Sequence, residues 1–358
     1  MKKYNLLPLM EMAYKKMLKP VLFQFGPDEV HKVFVKAGQE ITRQKSLLKI
    51  LNTLYGNPLD YPATEVDGVR YYGKVLLSAG FDYNGHLPHC LWHMGFSGEE
   101  VGSVTAKPTK GNPPPNLTRL VRNQSIQVYK GLRNDGVDSI IHRLKKNPSP
   151  EGFVLGISIA KTNDSSTCTV EGGIEDMLYS LKRLQAEYLG HFYTINISCP
   201  NAFGGEDFTV SDNLERLLIG MQKLALKVPV YFKMPINQSY EKLKVLCQLI
   251  EHYHYQGLVI GNLNKNYQDL TDPTELRDQK FRGGLSGKPC QKLSNELIQK
   301  VRSEFKHLTI MGCGGVLTPE DCTEKIASGA QLVQLISGMI FNGPHLIHQC
   351  QTAMAAKT

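Results

Sequence analysis

Tyr193-Thr-Ile-Asn-Ile-Ser-Cys-Pro-Asn201 joins a strand pattern to a cluster of polar side chains. β-branched and aromatic residues without a turn former predict a β-strand over residues 192–197. The amides of Asn196 and Asn201 and the thiol of Cys199 follow within a few positions. A buried strand that ends in such groups suits a site for a polar planar molecule. The alternative is a plain strand followed by a proline turn.

The same sequence of strand, loop and amphipathic stretch repeats from residue 70 onward. Eight strands are predicted, at residues 74–79, 99–104, 153–159, 192–197, 228–234, 257–260, 309–312 and 332–335. The amphipathic stretches predict helices, at residues 174–189, 211–226, 239–253, 291–304 and 319–328. Alternating strands and helices imply a parallel sheet. Eight such units over about 280 residues predict the α/β class and a closed (β/α)8 TIM barrel.

In a TIM barrel the functional residues lie at the carboxyl ends of the strands. Polar residues follow the predicted strands at these ends, among them Tyr83, Ser103, Asn196, Lys233 and Asn262. Glycine-rich turns follow the last two strands, Gly312-Cys-Gly-Gly315 and Ser337-Gly338, and a third such loop is Gly283-Gly-Leu-Ser-Gly287. The loops after strands seven and eight commonly bind phosphate through backbone N–H groups. The alternative is a set of tight turns without a ligand.

Two side chains near these strand ends, Lys233 and Cys199, could take part in a reaction. Lys233 ends an apolar strand, and a buried ammonium requires an anion or a carbonyl as its partner. Beside a flavin, a lysine stabilises negative charge on the reduced ring. The thiol of Cys199 is of a type that is partly ionised at neutral pH and can act as a general base. The alternatives are a lysine that reaches solvent from the strand end and a small buried cysteine.

Residues 1–55 lack the barrel pattern. Apolar residues alternate with Lys15, Lys16 and Lys19, and Asp28 is a candidate N-cap for a second apolar stretch. This pattern predicts an N-terminal extension of two short helices that can lie in a membrane interface. The alternative is an ordinary amphipathic pair packed on the main domain. Residues 56–68 are rich in Gly, Pro, Asn and Asp and predict a linker, so the barrel domain is assigned to residues 56–358.

The composition of the chain indicates which partners, metal sites and cellular location to expect. The net charge of +8 is spread along the chain, so nucleic acid is not expected as a partner. The eight cysteines are isolated, without a C-x-x-C motif, so no metal site is predicted. The absence of a signal-peptide pattern predicts a cytoplasmic protein. The extension then allows peripheral contact with the inner membrane from the cytoplasmic side.

These motifs, in this order and spacing, resemble the dihydroorotate dehydrogenase family, and its quinone-linked class 2 branch most closely. The similarity covers nearly the whole chain and includes Leu22-Phe-Gln-Phe-Gly-Pro-Asp-Glu-Val-His31, Leu77-Ser-Ala-Gly-Phe-Asp-Tyr-Asn-Gly85, Asn196-Ile-Ser-Cys-Pro-Asn201 and Val333-Gln-Leu-Ile-Ser-Gly338. The resemblance implies an FMN-dependent oxidoreductase of pyrimidine biosynthesis. Such an enzyme oxidises dihydroorotate to orotate at the flavin while a loop base removes a proton, and a membrane quinone receives the electrons.

Carried over position by position, the resemblance assigns roles to individual residues. Cys199 takes the base position, which is usually serine in class 2 and cysteine in the soluble class 1 enzymes, and Lys233 takes a catalytic position against the flavin. The cofactor-binding residues are Ala79, Gly80, Ser103, Ser158, Asn196, Lys233, Gly261, Gly287, Gly314, Gly315, Ser337 and Gly338. The substrate-binding residues are Tyr83, Asn196, Asn201 and Asn262.

Departures from the family pattern concentrate around the substrate. Tyr83 stands where the family has a lysine near flavin and substrate, and residues 127–134 replace the family's Asn-Arg-Met-Gly-Phe-Asn-Asn segment. Further changes from the family pattern are Ser158, Gly261, Leu263 and Ile336. The changes at Tyr83 and along residues 127–134 support a second hypothesis, a divergent member that uses FMN on another carbonyl-adjacent C–C bond in a specialised pathway. A third hypothesis is a non-catalytic flavin-binding protein, since a fold does not imply a function.

Overall fold

A computed structural model describes residues 6–198, 207–276 and 283–356. Eight parallel strands, numbered β1 to β8 along the chain, close into a barrel. They are Val75–Leu77, Gly98–Val104, Val154–Ile159, Phe192–Asn196, Val230–Met234, Gly257–Ile260, Thr309–Cys313 and Leu332–Leu335. Strand β8 closes the barrel on β1, with Val333 opposite Val75. The predicted (β/α)8 TIM barrel and its eight strands are confirmed, and the strand bounds agree within two residues.

Helices cover the outside of the barrel. They are Pro88–His93, Val137–Lys146, Val170–Ala186, Ser211–Gln222, Tyr240–His252, Lys288–Glu304, Pro319–Ala327, Ser337–Asn342 and His345–Ala355. Short 3-10 turns occur at Pro58–Asp60, Ser165–Thr167, Asp207–Thr209, Tyr267–Asp269 and Pro273–Leu276. The five predicted helices are confirmed, with bounds within four residues. Their buried apolar faces and the outer faces of the strands form the largest core cluster.

A small hairpin closes the amino end of the barrel. Its strands, Ala63–Val66 and Val69–Tyr72, pair antiparallel. Val66, Val69 and Tyr71 join the cluster that fills the barrel interior, where the rings of Phe192 and Tyr231 also pack. The predicted linker over residues 56–68 is therefore wrong in its second half, because Val66 is buried in this plug. With this end filled, the opposite end of the barrel is left for the site.

A three-stranded sheet lies over the carboxyl ends of the barrel strands, and we call it the cap sheet. Its strands are Leu117–Leu120, Ser125–Val128 and Gly284–Leu285. The first two form a hairpin, and the third pairs antiparallel with Ser125–Val128. The cap sheet was not predicted, because its strands are only two to four residues long and sit inside loops.

Three helical segments, which we call the N-terminal helices, precede the barrel instead of the two predicted. The first runs over Leu7–Ala13, a π-helical stretch Tyr14–Leu18 and Lys19–Leu22; the others are Pro27–Thr42 and Lys45–Tyr55. The N-cap of Pro27–Thr42 is Gly26 and not Asp28, which lies in the first turn behind Pro27. The third helix was missed because its N-cap, Gln44, makes no side-chain capping bond and carries no start signal.

Candidate active site

A cavity of about 460 Å³ opens where the barrel, the cap sheet and the N-terminal helices meet. This volume is typical of a small-molecule site. The carboxyl ends of the strands form its floor, and the cap sheet contributes Leu117, Ile126 and Val128. The N-terminal helices contribute a further, mostly apolar wall. One continuous cavity therefore connects the strand ends to the helical extension.

Most of the predicted site residues line this cavity. They are Ala79, Gly80, Tyr83, Ser103, Asn196, Lys233, Gly261, Asn262, Gly287, Gly314, Gly315 and Ser337. Ser158 and Gly338 lie behind the wall instead. The hydroxyl of Ser158 contacts that of Ser103, and a Cβ on Gly338 would stand 2.2 Å from the Val316 carbonyl oxygen. Cys199 and Asn201 fall outside the residues that the structure describes, so their roles stay predictions.

A row of hydrogen bonds crosses the ends of β2, β3 and β4. Asn196 Nδ2 donates to Ser103 Oγ at 2.9 Å, and Ser103 Oγ lies 2.8 Å from Ser158 Oγ. The Asn196 Oδ1 atom accepts from the backbone N–H of Ser198 at 3.4 Å. The parallel register brings these three side chains to one level of the barrel. The row fixes the Asn196 amide toward the cavity, with Ser158 as its support.

Asn262 braces the loop that follows β4. Its Nδ2 donates to Ser198 Oγ at 2.7 Å and to the Ser198 carbonyl oxygen at 3.0 Å. Ser198 Oγ in turn donates to the Lys233 carbonyl oxygen at 2.7 Å. The ends of β4, β5 and β6 are thus tied together directly before Cys199. Sequence analysis placed Asn262 at the site and missed the bracing role of Ser198.

Lys233 is buried on β5 and lacks an anionic partner in the described part of the chain. Its Nζ lies 3.4 Å from Ser78 Oγ, which in turn lies 3.4 Å from Cys313 Sγ. A buried ammonium beside neutral groups alone is costly, so an electron-rich ligand group would complete its surroundings. Ser78 and Cys313 were missed from sequence. The signal was present, since each is a small polar residue on an inward position of a strand end.

Close backbone packing builds the floor at β7 and β8. Gly315 has φ of 76°, and a Cβ there would stand 2.4 Å from Gln291 Cβ. At Gly287, with φ of 71°, a Cβ would stand 2.1 Å from the Gln124 carbonyl oxygen. Ser286 Oγ and Ser337 Oγ lie 2.9 Å apart and join the two loops. These turns, together with Gly314, form what we call the glycine cradle. It exposes backbone in the manner of a phosphate site.

The wall made by the N-terminal helices is apolar, with two polar residues at its inner edge. Val30, Phe34, Ile41 and other side chains of these helices line it. Arg119 holds this wall in place: its guanidinium lies 4.6 Å from the centre of the Phe23 ring, and Nη1 donates to the Phe25 carbonyl oxygen at 2.8 Å.

His31 forms the other polar edge, beside Tyr83. Its Nε2 lies 2.8 Å from the Phe81 carbonyl oxygen, and its ring centre lies 5.0 Å from that of Tyr83. Burial lowers the pKa of His31, and burial raises the pKa of the Tyr83 hydroxyl. His31 and Arg119 had no role in the sequence analysis, although His31 ends the Leu22–His31 motif of the resemblance.

Comparison with known proteins identifies the family of this chain. The family model for dihydroorotate dehydrogenase matches residues 61–357, most of the chain. The chain belongs to the dihydroorotate dehydrogenase family. The dihydroorotate dehydrogenase (quinone) of Thermosynechococcus vestitus is 30% identical to it, over 96% of this chain and 96% of that protein. The corresponding protein of Christiangramia forsetii is 32% identical, over 93% of this chain and 96% of that protein.

A solved structure shows the same fold. The DHODH of Eimeria tenella in complex with ferulenol superposes with a TM-score of 0.79 at 23% identity, and covers 92% of this chain and 90% of that one. Membership of the dihydroorotate dehydrogenase family confirms the predicted family, and with it an FMN-dependent oxidoreductase. The residues present fit that cofactor, because Gly287, Gly314, Gly315 and Ser337 line the cavity, where a phosphate can meet backbone N–H groups. Among the described residues, Lys233 also lacks an anionic partner.

No helix in the described ranges is long and apolar enough to cross a membrane.

Proposed function

We propose that this protein oxidises dihydroorotate to orotate in pyrimidine biosynthesis and passes the electrons to a quinone. One observation carries the proposal: a single cavity joins the glycine cradle and Lys233 to an apolar passage between the N-terminal helices. When bound, FMN supplies the redox chemistry, since it accepts a hydride from the substrate and delivers electrons to an acceptor. The protein's own residues bind, orient and exchange protons.

The cofactor roles follow from position in the cavity. Gly287, Gly314, Gly315 and Ser337 would hold the phosphate through backbone N–H groups and one hydroxyl. Ala79, Gly80, Ser103, Asn196 and Gly261 would border the ring system. Lys233 would place its ammonium against the electron-rich edge of the ring. Ser158 and Gly338 support the wall from behind and act through Ser103 and the Ser337 turn.

The substrate roles rest on the loop after β4. Cys199 would take up the proton at its Sγ as the neighbouring hydride leaves the substrate. Asn196, Asn201 and Asn262 would hold the polar ring of the substrate through their amides. The assignments of Cys199 and Asn201 rest on sequence alone. Support comes from the bonds of Asn262 and Ser198, which tie down the start of this loop.

The apolar passage suits a quinone. A quinone has an apolar ring with carbonyl oxygens, and Arg119 offers guanidinium protons at the inner edge of the passage. Exposed hydrophobic side chains surround its outer end. Of the seventeen large hydrophobic side chains that are exposed in the described residues, ten lie within residues 6–50, with Met17 at 70% and Val33 at 64% exposure. An apolar acceptor can thus pass from a lipid phase to the cavity.

We further propose that residues 1–55 form an extension that contacts a membrane surface peripherally, with the barrel domain at residues 56–358. Lys15, Lys16 and Lys19 accompany the exposed hydrophobic side chains, a combination that favours anionic lipid surfaces. Flotation with anionic and neutral vesicles tests this. Val33→Glu should weaken binding to anionic vesicles, while Tyr188→Glu, at an exposed hydrophobic position outside the extension, should leave it unchanged. Equal binding of both variants and the wild type would refute the contact.

Two half-reactions test the proposed enzyme activity. The FMN-loaded protein is first mixed with dihydroorotate without oxygen while the visible absorbance of oxidised flavin is followed. A quinone is then added to the reduced protein. Rapid bleaching followed by rapid recovery supports the whole proposal. Bleaching without recovery would support dihydroorotate as the substrate and refute a quinone as the electron acceptor.

Tyr83 and the 127–134 segment support a second candidate, a related substrate with another carbonyl-adjacent C–C bond. A site that has lost hydrogen-bonding or charged partners discriminates differently among polar substrates. The same experiment separates the two candidates. A protein that dithionite bleaches and dihydroorotate does not would have an intact flavin site and a different substrate.

A further inference from the structure

Four lysine and arginine side chains line the cavity: Arg119, Lys130, Arg133 and Lys233. Three of them are engaged. Arg119 donates to the Phe25 carbonyl oxygen, Lys130 forms an ion pair with Asp28, and Lys233 lies beside Ser78. Within the described ranges, Arg133 makes no hydrogen bond or ion pair. The cavity therefore has one uncommitted guanidinium among its described residues.

The loop that carries Arg133 is held rigidly on both sides. Asn134 is buried, and its Oδ1 accepts from the Gly136 and Thr105 backbone N–H groups at 2.8 and 3.3 Å. Two backbone hydrogen bonds join Asn134 to Thr109. On the other side, Leu132 turns the chain with φ of 58°. The backbone of Arg133 is thus fixed next to the end of β2, so its exposed side chain starts from a rigid position.

The charge of Arg133 acts on one corner of the cavity. Burial raises the pKa of Tyr83, and the Arg133 charge opposes that rise. Burial lowers the pKa of His31, and the same charge lowers it further. Tyr83 and His31 lie side by side, with ring centres 5.0 Å apart, and Arg133 lines the same cavity. At position 83 the family pattern has a lysine, and here a tyrosine without charge occupies it.

We propose that Arg133 binds the carboxylate of the substrate and supplies the positive charge that position 83 lacks. This inference rests on the proposed function, because dihydroorotate carries one carboxylate that a cavity must compensate. The planar guanidinium donates two parallel N–H groups to a carboxylate. Arg133 is thereby a specificity-determining residue that selects an anionic substrate.

The test uses the FMN-loaded full-length protein and two substrates, dihydroorotate and its uncharged methyl ester. Arg133→Gln should raise the KM for dihydroorotate about 10- to 100-fold, since a hydrogen bond to a charged group is lost. The KM for the ester should stay within about twofold of the wild-type value, because no carboxylate is present. Lys110→Gln, which removes an exposed charge from the neighbouring loop outside the cavity wall, should change neither KM.

Binding of orotate, followed by the absorbance change of the oxidised flavin, gives a readout apart from turnover. Arg133→Gln should weaken it by the same factor, and the double variant Tyr83→Lys/Arg133→Gln should regain affinity. Unchanged orotate binding in Arg133→Gln, or an equal rise of KM for acid and ester, overturns the inference while the proposed function stands. A wild-type protein that neither binds orotate nor oxidises dihydroorotate overturns both.

Discussion

The glycine cradle and the wall opposite it are built on different principles. At the cradle, Gly287, Gly314 and Gly315 present backbone. A Cβ at Gly287 or Gly315 would collide with a neighbour, and Gly314 has φ of 91°. The opposite wall consists of side chains from Tyr83, the 127–134 segment and the N-terminal helices. The cradle keeps the family motif, whereas the wall departs from it at Tyr83 and along 127–134. The comparison teaches that turns built from closely packed backbone can keep a family motif while a wall built from side chains departs from it.

Cys199→Ala is the strongest test on the substrate side of this comparison. A general base contributes about 10²- to 10⁴-fold to the rate, so flavin reduction by the substrate should slow by that factor. FMN affinity should not change, because the cradle is untouched. Stopped-flow reduction and FMN titration measure the two effects. Near-normal reduction in Cys199→Ala would refute the base assignment, and Cys199→Ser reports whether a hydroxyl can replace the thiol.

Gly315→Ala tests the cradle itself. The new Cβ would meet Gln291 at 2.4 Å, and overpacking of this kind costs about 1–3 kcal/mol. FMN should therefore bind about 10- to 100-fold more weakly, as measured by quenching of its fluorescence. Gly68→Ala is the matched control, since its φ of 78° resembles that of Gly315 and nothing lies within 4 Å of the new Cβ. A similar loss of FMN affinity in both variants would mean that backbone strain, and not the contact with Gln291, weakens FMN binding.

Lys325 extends the comparison to the layer behind the cradle. It is fully buried against Gly312 and donates to Ser294 Oγ and Asn295 Oδ1. Burial lowers the pKa of Lys325 from 10.5 to about 8. Between these values the unfolded chain keeps a proton that the folded protein has released, so the free energy of unfolding increases with pH. Lys325 adds at most about 1.4 kcal/mol per pH unit to this increase in the free energy of unfolding, and its effect vanishes below pH 8.

Denaturant unfolding at a series of pH values measures this contribution. In Lys325→Met, the free energy of unfolding should lack the increase between pH 8 and 10.5 that Lys325 contributes in the wild type. Lys292→Met, at a side chain that is 87% exposed, should retain it. An identical pH dependence in Lys325→Met and the wild type would mean that Lys325 stays charged in the folded protein across this range.

Ser78→Ala tests the contact between Ser78 and Lys233 at the strand ends. Loss of the hydroxyl leaves the Lys233 ammonium less firmly placed, at a cost of about 1 kcal/mol. The midpoint potential of the flavin should fall by about 20 mV, because the reduced ring loses part of its electrostatic partner. Ser286→Ala, whose hydroxyl faces Ser337 at the cradle, should leave the potential unchanged. A fall of equal size in both variants would contradict a specific role for Ser78.

The sequence predicted what depends on local patterns. Strand β5 was found because an apolar run ends in Lys233, and the cradle because glycines follow β7 and β8. The short strands of the cap sheet escaped detection because tertiary pairing, and not periodicity, stabilises them. The same holds for the hairpin at residues 63–72, whose Val66 is buried only because the barrel interior receives it.

By itself the sequence determined the barrel, its glycine-rich turns and the family, since the alternation of strands and helices and the positions of glycines can be read along the chain. Only the tertiary structure decided which side chains share a corner. His31, Tyr83, Arg119 and Arg133 belong to four separate segments of the chain, and the fold brings all four to the wall of one cavity. Each is an ordinary residue in its own segment. Their function depends on distances between segments, which folding sets and which no local pattern contains.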